Sequence, residues 1–147
     1  METGSRRGGD PVAAELRIEI AGEDGIVAAR QRARDTARRL GFGMVDQSRI
    51  ATAVSELARN VVRYATDGRG EAIVRELESP DRGVGLEVVV RDEGPGIPDV
   101  ALAMRDGYTS GPGLGMGLPG TRRLMDDFAI DSAPGKGTTV TIRKWHR

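Results

Sequence analysis

The sequence contains no cysteine and only one histidine among its 147 residues. Without cysteine the chain can form no disulfide, no zinc–thiolate site and no thiolate nucleophile, which fits a reducing compartment. Aromatic residues make up only 3% of the chain, so the core must be built from aliphatic side chains. No apolar run approaches the roughly 18 residues that a membrane span needs, and none follows Arg6 and Arg7 as in a signal peptide. We therefore expect a cytoplasmic protein that does not enter the membrane.

The chain also has no excess of either charge, because Lys and Arg together number 22 and Asp and Glu together number 22. A protein-wide basic field is therefore not indicated, and we expect no nucleic-acid partner. A chain of this length forms one domain by default and can bury a core. Residues 1–12 are predicted to be a flexible tail, and residues 13–147 a single domain.

Apolar periodicity separates strands from helices along the domain. Period-2 alternation predicts strands over 13–20, 70–77 and 83–92, and a final strand–turn–strand after Asp127. Helical spacing predicts helices over 23–40, 46–64, 99–107 and 118–127. Because consecutive strands are joined by short turns, the pattern indicates an antiparallel or mixed sheet covered on one face by helices, an α+β sandwich.

The first predicted helix carries a run of arginines outside its apolar stripe. They are Arg30, Arg32, Arg34, Arg38 and Arg39. Such a run indicates either a solvated basic face or a docking surface for an acidic partner. The sequence leaves both interpretations open.

The stretch from Gly115 to Gly120 is a literal match to GxGxxG, the dinucleotide-binding fingerprint. A Rossmann fingerprint follows the first strand directly and is followed about 20 residues later by an acid. Here the match lies near the C-terminus after a polar loop, and the chain 20 residues on reads Gly-Thr-Thr-Val. The Walker A pattern also fails, because Gly137 follows Lys136 where Ser or Thr is needed. The glycines must serve another kind of site.

Glu56 and Asn60 lie four residues apart on the second predicted helix and so share one face. They fall at the edge of its apolar stripe. A carboxylate there can act as a general base, and an amide oxygen one turn on can ligate a hard cation such as Mg²⁺. The alternative is that the pair merely decorates the surface, as such residues mostly do.

Two glycine-containing segments follow. In residues 92–96, Asp-Glu-Gly-Pro-Gly, an acid at the end of an apolar strand can accept hydrogen bonds at a pocket floor, and the glycines let a flat ring approach. The alternative is a tight strand-to-helix turn. In residues 113–117, Gly-Leu-Gly-Met-Gly, successive amides run into a helix N-terminus and suit phosphates. The alternative for this segment is a flexible loop.

In this order, the three pieces and the final Gly137-Thr138 resemble the N box, the two glycine boxes and the last-strand threonine of the GHKL ATPase superfamily. That superfamily includes gyrase, Hsp90, histidine kinases and MutL. The phrases SELARN, DEGPGIPD, GLGMGLPGTRRLMDDF and GKGTTVTIRKW resemble more narrowly the serine/threonine switch kinases of the anti-sigma-factor class, most of all the RsbT-type kinases of the bacterial stressosome. The resemblance implies the Bergerat fold, a mixed sheet with helices on one face and ATP held between helices and a lid.

The resemblance also implies a role for each matched residue. Glu56 would be the general base on the attacking hydroxyl, Asn60 would hold Mg²⁺, and Asp92 with Thr138 would bind the adenine amino group. Gly94, Gly96 and Ile97 would shape the adenine pocket, and the segment from Gly113 to Leu118 would form the lid. The nucleotide-binding residues implied are Asn60, Asp92, Gly94, Gly96, Ile97, Gly113, Leu114, Gly115, Met116, Gly117, Leu118 and Thr138.

The partners implied are STAS-domain proteins of the RsbS and RsbR kind, phosphorylated on serine or threonine, and a PP2C-type phosphatase that the kinase then binds and activates. The alternative is an anti-sigma factor like RsbW or SpoIIAB, which holds a sigma factor and phosphorylates an antagonist. A module of a larger histidine kinase and an ATP-sensing module are further alternatives. Trp145 and His146 are expected to pack rather than to act, and a homodimer is left open.

Overall fold

The computed structural model describes residues 11–97, 100–105 and 117–146. These residues form five strands, four α-helices and a short 3₁₀ turn at Thr66–Gly68. In chain order the elements are β1 Pro11–Ala21, α1 Glu23–Arg39, α2 Met44–Tyr64, β2 Arg69–Ser79, β3 Gly83–Asp92, α3 Val100–Ala103, α4 Gly117–Leu124, β4 Asp127–Ser132 and β5 Thr138–His146.

The five strands form one sheet in the order β1-β2-β3-β5-β4. All four pairings between them are antiparallel, so the sheet is not mixed, as the resemblance implied, but antiparallel. Short turns join β2 to β3 and β4 to β5, and such turns permit only antiparallel neighbours. Between β1 and β2 the chain runs through two helices, and the second helix reverses the direction of the first. The α+β sandwich predicted from the sequence is confirmed.

The core lies between one face of the sheet and the helices. From the sheet, Ile20, Val88 and Ile142 are fully buried, and from α2 Ile50 and Val54 are fully buried against them. The opposite face of the sheet is largely polar, with ion pairs such as Arg91 to Glu71 running between neighbouring strands. In the described part of the chain, helices therefore cover one face of the sheet and not the other, as the sequence predicts.

The element boundaries follow local chemistry. Strand β1 begins at Pro11, inside the segment expected to be a tail, while residues 1–10 lie outside the described part of the chain. Helix α2 begins at Met44, two residues before the predicted start, where Gln47 Nε2 donates to the Phe42 carbonyl at 2.8 Å and ties the first turn to the preceding loop. Helix α4 ends at Leu124 because the chain enters β4 three residues later.

The two C-terminal residues singled out in the sequence both pack. Trp145 is 6% exposed, and its Nε1 donates to Asp127 Oδ2 at 3.0 Å, while the Arg82 guanidinium lies 4.7 Å from its ring. His146 packs beside Phe42 with ring centroids 5.3 Å apart and ring planes tilted by 39°. Among the described helices, none has the length and apolar character needed to cross a membrane.

Candidate active site

Asp92 and Thr138 are cross-strand partners at one end of β3 and β5. Strand alternation places both on the helix-covered face, the face of Val88 and Val90. The backbone N–H of Gly94 donates to Asp92 Oδ1 at 2.7 Å. Desolvation by burial raises the pKa of Asp92, and the backbone amides of Gly94 and Thr138 offset part of the rise. A carboxylate accepts about four hydrogen bonds, so Asp92 keeps acceptor capacity for a ligand that offers N–H donors.

The loop after Asp92 packs tightly against its neighbours. At Gly96, φ is +81°, and a Cβ there would lie 2.0 Å from the Ala133 carbonyl oxygen. A Cβ at Gly94 would lie 2.7 Å from Ala65 Cα. The sequence interpretation was that these glycines leave room for a flat ring. In the structure, protein backbone occupies the space beside both glycines, so they are required first of all to seat the loop on the end of α2 and on the β4–β5 turn.

Ser132 connects this loop to the last strand, and sequence reasoning missed it. Its Oγ accepts a hydrogen bond from the Ile97 backbone N–H at 2.8 Å, donates to the Gly137 carbonyl at 3.0 Å and lies 2.8 Å from Thr138 Oγ1. Ser132 is also the cross-strand partner of Thr138. The only signal in the sequence was a serine at the end of a strand, just before the glycine-rich turn.

Glu56 and Asn60 lie on α2 at the boundary between its buried face and its exposed face. Glu56 is 7% exposed, and within the described part of the chain its carboxylate has one partner, Arg59 Nη1 at 3.4 Å. Asn60 is half-buried, and its side chain makes no hydrogen bond to any described residue. A buried carboxylate with one long contact can accept a proton, and an unpartnered amide oxygen one turn away is a suitable ligand for a hard cation.

A groove of about 270 Å³ opens beside Glu56, between α1 and α2. Its lining residues are Arg30, Arg34, Ser48, Ala51, Thr52, Ser55, Glu56 and Arg59. In the structure, the arginines of α1 fall into two groups, those with a carboxylate partner and those that line the groove. Arg38 is paired with Asp35 at 3.2 Å and Arg39 with Glu76. Arg30 and Arg34 are half-buried in the groove wall and form no ion pair with a described residue.

The predicted phosphate-binding segment falls largely outside the described residues, which exclude Gly113, Leu114, Gly115 and Met116. Its last part is described. Gly117 opens α4 with φ +68°, Leu118 is buried, and Thr121 Oγ1 donates to the Gly117 carbonyl at 2.9 Å. Helix α4 packs against α2, so the chain leaving this segment is anchored to the helix that carries Glu56 and Asn60.

Comparison with known proteins agrees with this fold. A family model described as histidine kinase-like ATPase domain matches residues 21–144. Two solved structures share the fold at 22% sequence identity. One contains the RsbU and RsbW domains of Rv1364c from Mycobacterium tuberculosis, with a TM-score of 0.63 over 92% of this chain and 33% of that one. The other is the mycobacterial sensor histidine kinase MprB, with a TM-score of 0.53 over 91% of this chain and 99% of that one.

Two named relatives define more closely the class of protein to which the chain belongs. The serine/threonine-protein kinase RsbT of Bacillus subtilis (strain 168) is 50% identical over 131 residues, which are 88% of this chain and 96% of that kinase. An anti-sigma F factor of Halalkalibacterium halodurans is 38% identical over 104 residues, which are 69% of this chain and 70% of that factor. The chain therefore belongs to the histidine kinase-like ATPase family, in the group of ATP-using serine/threonine protein kinases that includes RsbT. The family resemblance and the enzyme class predicted from the sequence are both confirmed.

Proposed function

We propose that the protein transfers the γ-phosphoryl group of ATP to a serine or threonine of a STAS-domain partner, with Glu56 as general base. The observation that carries this proposal is that buried Glu56 lies one turn of α2 from Asn60, whose side chain has no hydrogen-bond partner among the described residues, beside an open groove. Phosphoryl transfer needs chiefly positioning and charge neutralisation. A base, a cation ligand and a nucleotide-binding carboxylate therefore suffice without a covalent residue.

The nucleotide end of the proposed site is formed by Asp92 and Thr138. Asp92 offers acceptor positions to an adenine amino group, and the tightly packed 94–97 loop forms the pocket wall beside it. Asn60 has the chemistry to hold Mg²⁺, because its amide oxygen is a hard donor free of hydrogen bonds to the described residues. When bound, Mg²⁺ neutralises charge on the phosphates. The segment 113–118 completes the proposed site as the lid.

The acceptor hydroxyl is proposed to reach Glu56 through the groove between α1 and α2. Its oxygen attacks the γ-phosphorus, its proton passes to the Glu56 carboxylate, the bond to the β-phosphate oxygen breaks, and ADP leaves. Arg30 and Arg34 lack carboxylate partners among the described residues, so they are available to hold acidic side chains of the partner. This favours docking of an acidic partner over a merely solvated basic face.

The partners proposed are STAS-domain scaffold and antagonist proteins, followed by a PP2C-type phosphatase that the released kinase binds and activates. The extensive likeness to RsbT supports this choice. The second candidate is an anti-sigma factor, because a relative named anti-sigma F factor is 38% identical to this chain over 104 residues. In that case the same site would phosphorylate an antagonist while the protein holds a sigma factor.

A phosphotransfer assay separates the two candidates. The full chain is mixed with Mg·ATP and each STAS-domain protein of the same genome, and the partner's mass is measured, with Glu56→Ala as control. A gain of one phosphoryl group on serine or threonine, absent with the variant, supports the kinase. Parallel pull-downs with the sigma factors and the PP2C-type phosphatase then assign the pathway. Capture of a sigma factor favours the anti-sigma role, and capture of the phosphatase favours the RsbT-like role.

A further inference from the structure

Three polar side chains form a row across the sheet at the end where the nucleotide is proposed to bind. Asp92, Thr138 and Ser132 are successive cross-strand partners on β3, β5 and β4. Ser132 is the member of the row to which the proposed function assigns no role. Its three contacts nevertheless determine what its neighbour can offer to a ligand.

The hydrogen positions in this row follow from the chemistry of the partners. The Ile97 backbone N–H, 2.8 Å from Ser132 Oγ, can only donate, and the Gly137 carbonyl, 3.0 Å away, can only accept. A serine hydroxyl has one hydrogen, and that hydrogen goes to Gly137. The third contact, to Thr138 Oγ1 at 2.8 Å, is then a hydrogen bond only if Thr138 donates. This is the one arrangement in which all three contacts of Ser132 are hydrogen bonds.

We infer that Ser132 is a specificity-determining residue, which makes the Thr138 hydroxyl an acceptor towards the base and so selects 6-amino over 6-oxo purines. With its hydrogen held by Ser132, Thr138 presents only lone pairs, and the neighbouring Asp92 carboxylate also only accepts. Two acceptors suit the amino group of adenine. The same two acceptors repel the carbonyl oxygen of hypoxanthine or guanine, because the lone pairs of that oxygen would face those of Thr138.

Removal of the Ser132 hydroxyl would free the Thr138 hydroxyl to rotate. Thr138 could then donate to the 6-oxo group, while Asp92 accepts from the N1–H that 6-oxo purines carry. The discrimination between bases would shrink, because a repulsive contact becomes a hydrogen bond. Ser132 acts through Thr138 and is a positioning residue with no contact of its own to the reacting atoms. The inference rests on the proposed ATP site.

The test is equilibrium binding of ATP and inosine triphosphate, which share ribose and phosphates, to the full chain by titration calorimetry. We expect Ser132→Ala to lower the ATP-to-ITP affinity ratio by about tenfold, the size of one hydrogen bond gained or lost. Ser132→Thr keeps a hydroxyl and should keep the wild-type ratio. In a Thr138→Val background, Ser132→Ala should no longer change the ratio, because the hydroxyl that it controls is absent.

An unchanged ratio in Ser132→Ala would overturn the inference. If both affinities fall by the same factor, the ratio is likewise unchanged, and Ser132 then only supports the loop through Ile97. Thermal unfolding without nucleotide shows whether Ser132→Ala remains folded, and Ser132→Thr tests the same hydroxyl without deleting it. Failure of the wild-type protein to bind ATP would reject the proposed function itself, a result distinct from an unchanged ratio.

Discussion

The Asp92 carboxylate accepts a hydrogen bond at 2.7 Å from the backbone N–H of Gly94, two residues further along the chain. The backbone amide of Thr138, the cross-strand partner of Asp92, also favours the ionised form of this carboxylate. The two amides hold the carboxylate at the end of β3 before any ligand arrives. An acceptor held in advance binds a donor without the cost of ordering it. The two strands thus preorganise the group that the proposed function assigns to the adenine amino group.

Replacement of this carboxylate should strongly weaken nucleotide binding. We expect Asp92→Asn to weaken ATP binding by about 100-fold, because a charge-assisted hydrogen bond is lost and the asparagine NH₂ group would face another donor. Asp131→Asn is the matched control, since Asp131 is exposed on β4. Calorimetric titration of both variants with ATP measures the effect. Comparable ATP affinities for the two variants would show that Asp92 does not bind the nucleotide.

The raised pKa of Asp92 predicts opposite pH effects on binding and on stability. Burial raises this pKa above its ordinary value of 3.8, so the folded protein binds this proton more tightly than the unfolded chain does. The contribution of Asp92 to stability is therefore fully present below pH 3.8 and is lost as the pH rises through the raised pKa. ATP binding needs the ionised acceptor and should instead weaken as the pH falls through the same value.

Asp92→Asn isolates this titration. Without nucleotide, the stability of the wild type relative to Asp92→Asn should decline as the pH rises from about 4 to neutrality, since only the wild type must ionise a buried carboxyl. Thermal unfolding across that range follows the difference. A wild type that gains stability relative to the variant as the pH rises would show that the ionised carboxylate stabilises the fold.

The cost of a steric clash at Gly96 can be measured separately from the cost of its left-handed backbone conformation. Gly96 and Gly135 have similar positive φ values, +81° and +78°. A Cβ at Gly135 meets nothing within 4 Å, whereas at Gly96 it would lie 2.0 Å from the Ala133 carbonyl oxygen. We expect Gly135→Ala to cost about 1 kcal/mol for the left-handed backbone, and Gly96→Ala about 2 kcal/mol more for the clash.

Urea unfolding of the two glycine variants gives the difference directly. Gly96→Ala should also weaken ATP binding, because the clash would displace Ile97 from Ser132, whereas Gly135→Ala should not. Equal costs for the two substitutions would mean that the loop has room to yield. Gly96 would then be required for its backbone conformation alone and not for the close approach of Ala133.

Periodicity predicted most of the fold because the helices and strands are strongly patterned. The strand 83–92 and the apolar stripe of α2 occur as expected. The sequence pattern left an antiparallel and a mixed sheet both open, because the direction of β1 relative to β2 depends on two intervening helices rather than on any local signal. The start of β1 at Pro11 was missed because its pairing with Leu77 is a contact distant in sequence.

The residues of the candidate site likewise differ in whether they could be predicted from the sequence. Glu56, Asn60 and Asp92 belong to short motifs and could be identified by spacing and residue type. Ser132 could not, because its role arises from the register of β4 on β5. Nor could the sequence distinguish Arg34 from Arg38, because residues four apart lie on the same face of a helix. Only the tertiary structure pairs Arg38 with Asp35 and leaves Arg34 in the groove beside Glu56.

The central claim, that Glu56 performs the transfer in a site that Asp92 and Asn60 load, is tested most directly by Glu56→Gln. Single-turnover phosphotransfer to a STAS-domain protein is measured beside ATP affinity, with Glu78→Gln, an exposed glutamate on β2, as control. We predict that Glu56→Gln binds ATP within about threefold of wild type and transfers roughly 10²–10⁴-fold more slowly, the usual contribution of a general base. Transfer at the wild-type rate, or a parallel loss of ATP binding, would contradict the assignment.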